Sequence, residues 1–236
     1  MTPPDAAEVG KRAAAEAATA LIESGMVIGL GTGSTVAFVL DLLARRIHKE
    51  GLTVAGVPTS LYTEERARAL GIPLTDLDPV RALDLAIDGA DEIETRTFSI
   101  IKGLGGALLR EKIVAFSAQR FVVVADESKL VPQLGVRVPV PVEIVRFAHA
   151  ATARRIEQLG GRAVLRLKAG GEPFVTDNGN FIYDVYALGP IADPARLERD
   201  IAAIPGVVES GLFTLGVASV FVGYASGTAR MLRAPA

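Results

Sequence analysis

At 236 residues, half of them hydrophobic and 22% charged, the chain has the apolar content for a sizeable core and is long enough for one large α/β domain or a domain with a smaller module. Its 25 basic and 27 acidic residues leave a formal net charge of −2, so no global positive field recruits nucleic acid or an anionic membrane. There is no cysteine, hence no disulfide and no thiolate metal site, and no apolar run approaches the roughly 18 residues of a membrane span. A soluble, cytoplasmic protein is expected.

Residues 5–23 are rich in alanine with interspersed charges. Pro3 and Pro4 stand ahead and Gly25 behind, and no signal-peptide apolar stretch is visible; the segment predicts a helix. A short apolar run over 26–30 predicts a buried parallel strand. It leads into Gly31-Thr32-Gly33-Ser34-Thr35 and then a helical period over 36–49 ended by Gly51, half of a βαβ unit. A second strand (52–57) and helix (61–70, closed at Gly71) follow. A third apolar strand over 83–87 breaks into Asp88-Gly89-Ala90-Asp91-Glu92, and an apolar run returns at 98–101. The glycine-rich Lys102-Gly103-Leu104-Gly105-Gly106 then opens a helix-like segment carrying Arg110, Glu111 and Lys112. Residues 121–125, FVVVA, form the clearest buried strand. Strand and helix alternate up to this point, which predicts an α/β fold with a Rossmann-like, doubly wound, mainly parallel sheet.

From about residue 131 the pattern changes. Val138-Pro139-Val140-Pro141-Val142 is extended and punctuated by proline, tolerable at a sheet edge or a strand end. A helix (148–159), a strand (163–167), an Asp177-Asn178-Gly179 hairpin turn, a strand (181–185), a helix (194–203) and a strand at Val207 and Val208 follow. That order is the ferredoxin-like split βαβ fold. The β-rich runs 212–215 and 217–222 are expected back in the main sheet. The division is thus 1–131 with 211–236 for a Rossmann-like catalytic domain, and 132–210 for an inserted ferredoxin-like α+β subdomain.

Three segments carry chemistry. The turn from Gly31 to Thr35 offers backbone N–H groups at a helix N-terminus and hydroxyls on Thr32, Ser34 and Thr35, which suit a phosphate. It lacks the Gly-Lys-Ser/Thr of a P-loop, and no acidic residue ends the second strand to hold a dinucleotide ribose. A plain tight turn with Ser34 or Thr35 as N-cap is the alternative. Asp88-Gly89-Ala90-Asp91 fits turn chemistry with Asp91 capping a helix, magnesium binding, or acid–base work on a hydroxylated substrate. On a helical wheel Glu111 falls between Ala107 and Ala115, a partly desolvated slot suited to a general base. Lys112 is similarly enclosed by Leu108 and Phe116, and a solvated helix face is the other possibility. Lys102 beside its glycines can neutralise an oxyanion. Lys129 follows the FVVVA strand at the same sheet edge, or is a solvated loop lysine. His48 and His149 have no ligand-like spacing.

In order and spacing, GLGTGST, IDGADEI, IKGLGGALLREK and VVVADESKLV closely resemble the type A ribose-5-phosphate isomerases, and the likeness continues through VPVEIV, VTDNGN and IPGVVESGLF. It covers most of the chain. The resemblance implies a Rossmann-like domain with a smaller α+β lid that also serves oligomerisation, a homodimer or homotetramer, no metal and no organic cofactor. The implied reaction interconverts ribose 5-phosphate and ribulose 5-phosphate in the non-oxidative pentose phosphate pathway. Thr32, Gly33, Ser34 and Thr35, then Asp88, Gly89, Ala90 and Asp91, then Lys102, Gly103, Leu104 and Gly105 match the family's substrate-binding segments. Glu111 matches its catalytic base, and Lys129 and Lys11 match basic residues near the phosphate. Asp88, assisted by Asp91, would open the sugar ring; Glu111 would move the C2 proton through a cis-enediolate; Lys102 would stabilise the oxyanion. Leu104 stands where many members have glycine and would be strained at positive φ. Related folds serve sugar-phosphate sensor domains, aminosugar-phosphate deaminases and coenzyme A transferases, but a sensor needs a DNA-binding segment and residues 1–25 hold one helix with few basic residues.

Overall fold

A computed structural model describes residues 5–214 and 216–233. In chain order the elements are α1 (Ala6–Thr19), β1 (Val27–Leu30), α2 (Ser34–Glu50), β2 (Ala55–Pro58), α3 (Leu61–Ala69), β3 (Leu85–Asp88), β4 (Glu92–Glu94), β5 (Ile100–Ile101), α4 (Leu108–Phe116) and β6 (Phe121–Asp126). A 3-10 turn (Glu127–Lys129) leads to β7 (Leu130–Val131), β8 (Val140–Ile144), α5 (His149–Glu157), β9 (Arg162–Leu165), β10 (Phe181–Tyr186), α6 (Pro194–Ala202), β11 (Val207–Ser210), β12 (Leu212–Phe213), β13 (Val217–Gly223) and β14 (Ala229–Arg233). They fall into two compact units, the first made of Met1–Ala90, Arg110–Lys129 and Gly216–Ala236, the second of Asp91–Leu109 and Leu130–Leu215.

The first unit is built on a six-stranded sheet in the order β14-β13-β6-β3-β1-β2. All neighbours are parallel except β14, which runs antiparallel on the edge. From β1 the chain steps one way to β2 and the other way to β3, so the switch point of this doubly wound sheet lies between the carboxyl ends of β1 and β3. Residues of β3 and β6 are buried throughout, as continuous apolar runs in a parallel sheet must be. Ala14, Ala15 and Ala18 of α1 and Val36, Val39, Leu40 and Leu43 of α2 join them in one core. Truncating a fully buried leucine such as Leu43 to alanine is expected to cost about 2–5 kcal/mol.

Helix α1 starts where predicted, with Asp5 accepting the Ala7 N–H at 3.3 Å, but ends at Thr19 rather than 23. Arg46 of α2 takes the carbonyls of Thr19 (2.7 Å) and Ile22 (3.0 Å), which satisfies the terminal acceptors and lets the chain leave the helix. Helix α2 ends on Gly51 in the left-handed region (φ 71°), as its glycine suggests.

The second unit holds two four-stranded sheets, β11-β8-β10-β9 and β12-β5-β4-β7. The first is antiparallel throughout and, with α5 and α6, has the ferredoxin-like order. Strand β8 is interior rather than at an edge, which corrects part of the expectation for the proline run. Pro141 sits one residue into the strand, beyond the last β11 pairing at Ser210 and Val142, so its missing N–H interrupts little. Glu143 of β8 is fully buried and accepts from Thr176 Oγ1 (2.9 Å), Asn178 Nδ2 (3.3 Å) and Asn180 Nδ2 (2.9 Å), which ties the 176–180 turn to the sheet. His149 Nδ1 lies 2.8 Å from the Tyr183 hydroxyl, and burial pushes that phenol's pKa up, against the pull of Arg154 and with help from Glu157. His48 bonds the Leu70 carbonyl at 3.0 Å.

Residues 212–213 do not return to the main sheet. They pair with β5, while the main-sheet return is made by β13. Leu215, part of the same predicted run, lies outside the described residues. Asp91 caps no helix, because strand β4 follows it directly.

Candidate active site

In the first unit the site grows from two strand ends. Strand β1 gives way to Gly31, and a Cβ there would overlap the carboxyl group and Cα of Asp88 at the end of β3. Glycine therefore lets the turn approach the aspartate. Asp88 is 2% exposed, and its Oδ1 accepts the amides of Thr32 (3.0 Å) and Gly89 (2.7 Å). Both amides donate to one carboxylate oxygen, which fixes the orientation of the Asp88 side chain in the turn.

The turn is braced from below by hydroxyls. Thr32 Oγ1 lies 2.8 Å from Thr59 Oγ1, 2.8 Å from Ser60 Oγ and 3.1 Å from Thr63 Oγ1, and Thr63 Oγ1 donates to the Gly31 carbonyl at 2.8 Å. The Thr32 hydroxyl and amide are thus both engaged within the protein. Gly33, at φ 116°, is the N-cap of α2 and makes no side-chain cap bond, so neither Ser34 nor Thr35 fills that role. Ser34 is exposed, and Thr35 is 8% exposed at the first turn of α2.

Lys11 reaches this helix start: its Nζ lies 3.0 Å from Ser34 Oγ. A close approach of backbones seats α1 there. A Cβ on Gly10 would lie 2.8 Å from the Gly223 carbonyl oxygen at the end of β13, and 3.3 Å from Asp126 Cβ at the end of β6. Asp126 accepts the Ser128 N–H at 3.0 Å and the Ser128 hydroxyl, which shapes the turn carrying half-buried Lys129. Glu111, on the part of α4 that belongs to this unit, is 5% exposed; Lys112 is buried as well. An ammonium and free helix-start amides attract an anion, and desolvated carboxylates move protons.

In the second unit Lys102 follows β5. It is 2% exposed, its backbone N–H donates to Gly211 O (2.9 Å), and its ammonium sits 5.9 Å from the centre of the Phe213 ring. Asp91 donates its amide to Ile101 O (2.8 Å) and accepts the Leu104 N–H on Oδ2 at 3.0 Å. Gly103 and Gly106 take the positive φ values of the loop, 100° and 85°. Leu104 is not among the residues at positive φ, so leucine in the glycine run is unstrained. Gly105 is exposed; Ala90, the last residue of the first unit, is half-buried. Arg166, which sequence reasoning did not single out, bonds the carbonyls of Gly103 and Leu104. Among the described residues no three His, Asp or Glu side chains converge as a metal's ligands would.

A pinned aspartate beside a glycine and hydroxyl turn stands at the switch point of a doubly wound sheet, the place where α/β proteins of this class bind their ligands. The comparisons narrow this. The family model for ribose 5-phosphate isomerase A (phosphoriboisomerase A) matches residues 55–227. Ribose-5-phosphate isomerase A of Synechococcus sp. (strain JA-3-3Ab) is 55% identical over 209 residues, 89% of this chain and 90% of its own length. The structure of ribose 5-phosphate isomerase A from Methanocaldococcus jannaschii superposes with a TM-score of 0.90 at 46% identity, covering 94% of this chain and 97% of its own. A D-ribose-5-phosphate isomerase solved in complex with phospho-erythronic acid gives 0.92 at 39% identity, over 96% and 99% of the two chains. The chain belongs to the ribose 5-phosphate isomerase A family.

Proposed function

We propose that this protein is the aldose–ketose isomerase that interconverts D-ribose 5-phosphate and D-ribulose 5-phosphate, in the cytoplasm and as a homodimer or homotetramer. The observation that carries the chemistry is the buried Asp88 carboxylate, held by the Thr32 and Gly89 amides at the sheet's switch point. Family membership supports the substrate. The phospho-erythronic acid bound by one relative has a carboxylate that shares charge over two oxygens, much as an enediolate does.

Ribose 5-phosphate is mostly a closed ring. Asp88, assisted by Asp91, exchanges protons with the ring oxygen and the C1 hydroxyl to free the aldehyde. Glu111 then takes the proton from C2, and the electron pair moves onto the C1 oxygen to give a cis-enediolate. Lys102 and the amides of Gly103 and Gly105 stabilise that charge, while the Leu104 amide holds Asp91. A proton passes between O2 and O1, Glu111 returns its proton to C1, and the ketose results. Gly33, Ser34 and Thr35 with Lys11 and Lys129 take the phosphate, whose binding orients C2 toward the base.

The test is appearance of ketose from ribose 5-phosphate with purified protein, beside unphosphorylated ribose. Turnover of the phosphate ester alone is expected; no turnover, or equal turnover of both sugars, refutes the assignment. Light scattering on the eluting peak checks the oligomer, and a monomer there refutes that part.

A further inference from the structure

The 102–106 loop must hold one conformation to present its amides, yet its backbone is of a kind that has several. Gly103 and Gly106 sit at φ 100° and 85°, which glycine reaches without penalty and leaves as easily. Arg166, directly after β9, holds the loop. Its Nη1 donates to the carbonyls of Gly103 (2.8 Å) and Leu104 (3.1 Å). Its Nε donates to Asp184 Oδ2 at 2.9 Å and its Nη2 to Asp184 Oδ1, a two-pronged pair. Asp184 faces Val164 across β9 and β10, so Arg166, two residues on, lies on the same sheet face. The two side chains are only 12% and 14% exposed, and solvent does little to loosen them.

The carbonyl and the amide of a trans peptide point opposite ways. Arg166 on the Gly103 carbonyl and Asp91 on the Leu104 amide therefore grip the two sides of one peptide plane. The bond from Arg166 to the Leu104 carbonyl in turn aims the Gly105 N–H away from the guanidinium. Phe174 closes the far end, where a Cβ on Gly106 would come within 2.5 Å of its Cζ.

We propose that Arg166, locked by Asp184, is a positioning residue for the isomerisation, fixing the glycine loop and with it the Gly105 amide for the oxyanion that develops on the substrate. This rests on the isomerase activity proposed above. Arg166 acts through the loop and touches no reacting atom, and the phosphate is bound by other residues, so the loss on mutation belongs in kcat.

The experiment compares wild type, Arg166→Met, Arg166→Lys and Asp184→Asn in the ribose 5-phosphate assay, with rates referred to folded protein measured by circular dichroism. Arg166→Met is expected to lose about tenfold to a hundredfold in kcat, the scale for a catalytic group misplaced by about 1 Å. KM should stay within about threefold of wild type. Arg166→Lys should recover little, because an ammonium lacks the planar fork that serves two carbonyls and a carboxylate together. Asp184→Asn should show the same split with a smaller loss, and it decides the matter if Arg166→Met does not fold. Folded variants with wild-type kcat, or losses that vanish when referred to folded protein, overturn the proposal while the isomerase assignment stands. An inactive wild type removes both.

Discussion

The Thr32 amide and the Asp88 carboxylate meet at 3.0 Å, joining the turn after β1 to the end of β3, with the Gly89 amide on the same oxygen at 2.7 Å. Asparagine can present an accepting oxygen to both amides but cannot carry the charge. Asp88→Asn is therefore expected to fold with the turn intact and to lose about 10²–10⁴ in kcat, the usual range for an acid–base group. Melting curves beside the isomerase assay check this, and full activity in a folded variant would take Asp88 out of proton transfer.

Glu111→Gln keeps the size of a buried side chain and removes its basicity. The variant should bind ribose 5-phosphate and lose at least about 10²-fold in kcat. Exchange of the substrate C2 hydrogen with deuterated solvent should slow in parallel by NMR. Exchange at the wild-type rate would move the base elsewhere.

Lys11 and Lys129 are assigned to the phosphate, which is bound alike in ground and transition states. Lys11→Met and Lys129→Ala should mainly raise KM, about tenfold or more, with kcat within about threefold. A kcat effect without a KM effect would reassign them to the chemistry.

The mechanism gives the developing charge to Lys102 and backbone amides. Activity should survive exhaustive dialysis against a chelator. Loss restored by magnesium would make Asp88 or Asp91 a metal ligand instead.

Glu143 accepts three side-chain hydrogen bonds while fully buried. Glu143→Ala strands those donors and should destabilise the protein by about 1.5–3 kcal/mol, the cost of losing a bond to a charged group. Denaturant titration measures it, and an unchanged midpoint would show that the turn holds itself.

Period and punctuation carried much of the fold in the sequence. Strand β1, the glycine turn and α2 were legible because apolar run, glycine cluster and helical spacing follow one another within 25 residues or so. Strand β4 was not, since Glu92 and Glu94 read as polar loop. Both are buried, Glu92 because its carboxylate accepts the amides of Gly135 (2.6 Å), Arg137 (2.6 Å) and Val138 (3.1 Å). Those donors are remote in sequence, and no local pattern announces them. The same holds for Arg166, whose partners Asp184, Gly103 and Leu104 come together only through the sheet. Edge strand β14, with Arg230 and Arg233 in it, lacks the apolar content by which β6 was found.

The contact of Gly10 with Gly223 ties the first helix to one of the last strands, and β13 must be in place beside β6 before α1 has its full seat. During synthesis the N-terminal helix thus leaves the ribosome long before the strand it docks on. Closing so long a loop is entropically costly and slow, and contacts of this separation are made late. The corner where Lys11 meets Ser34 therefore takes its final form only once β13 has been made and docked.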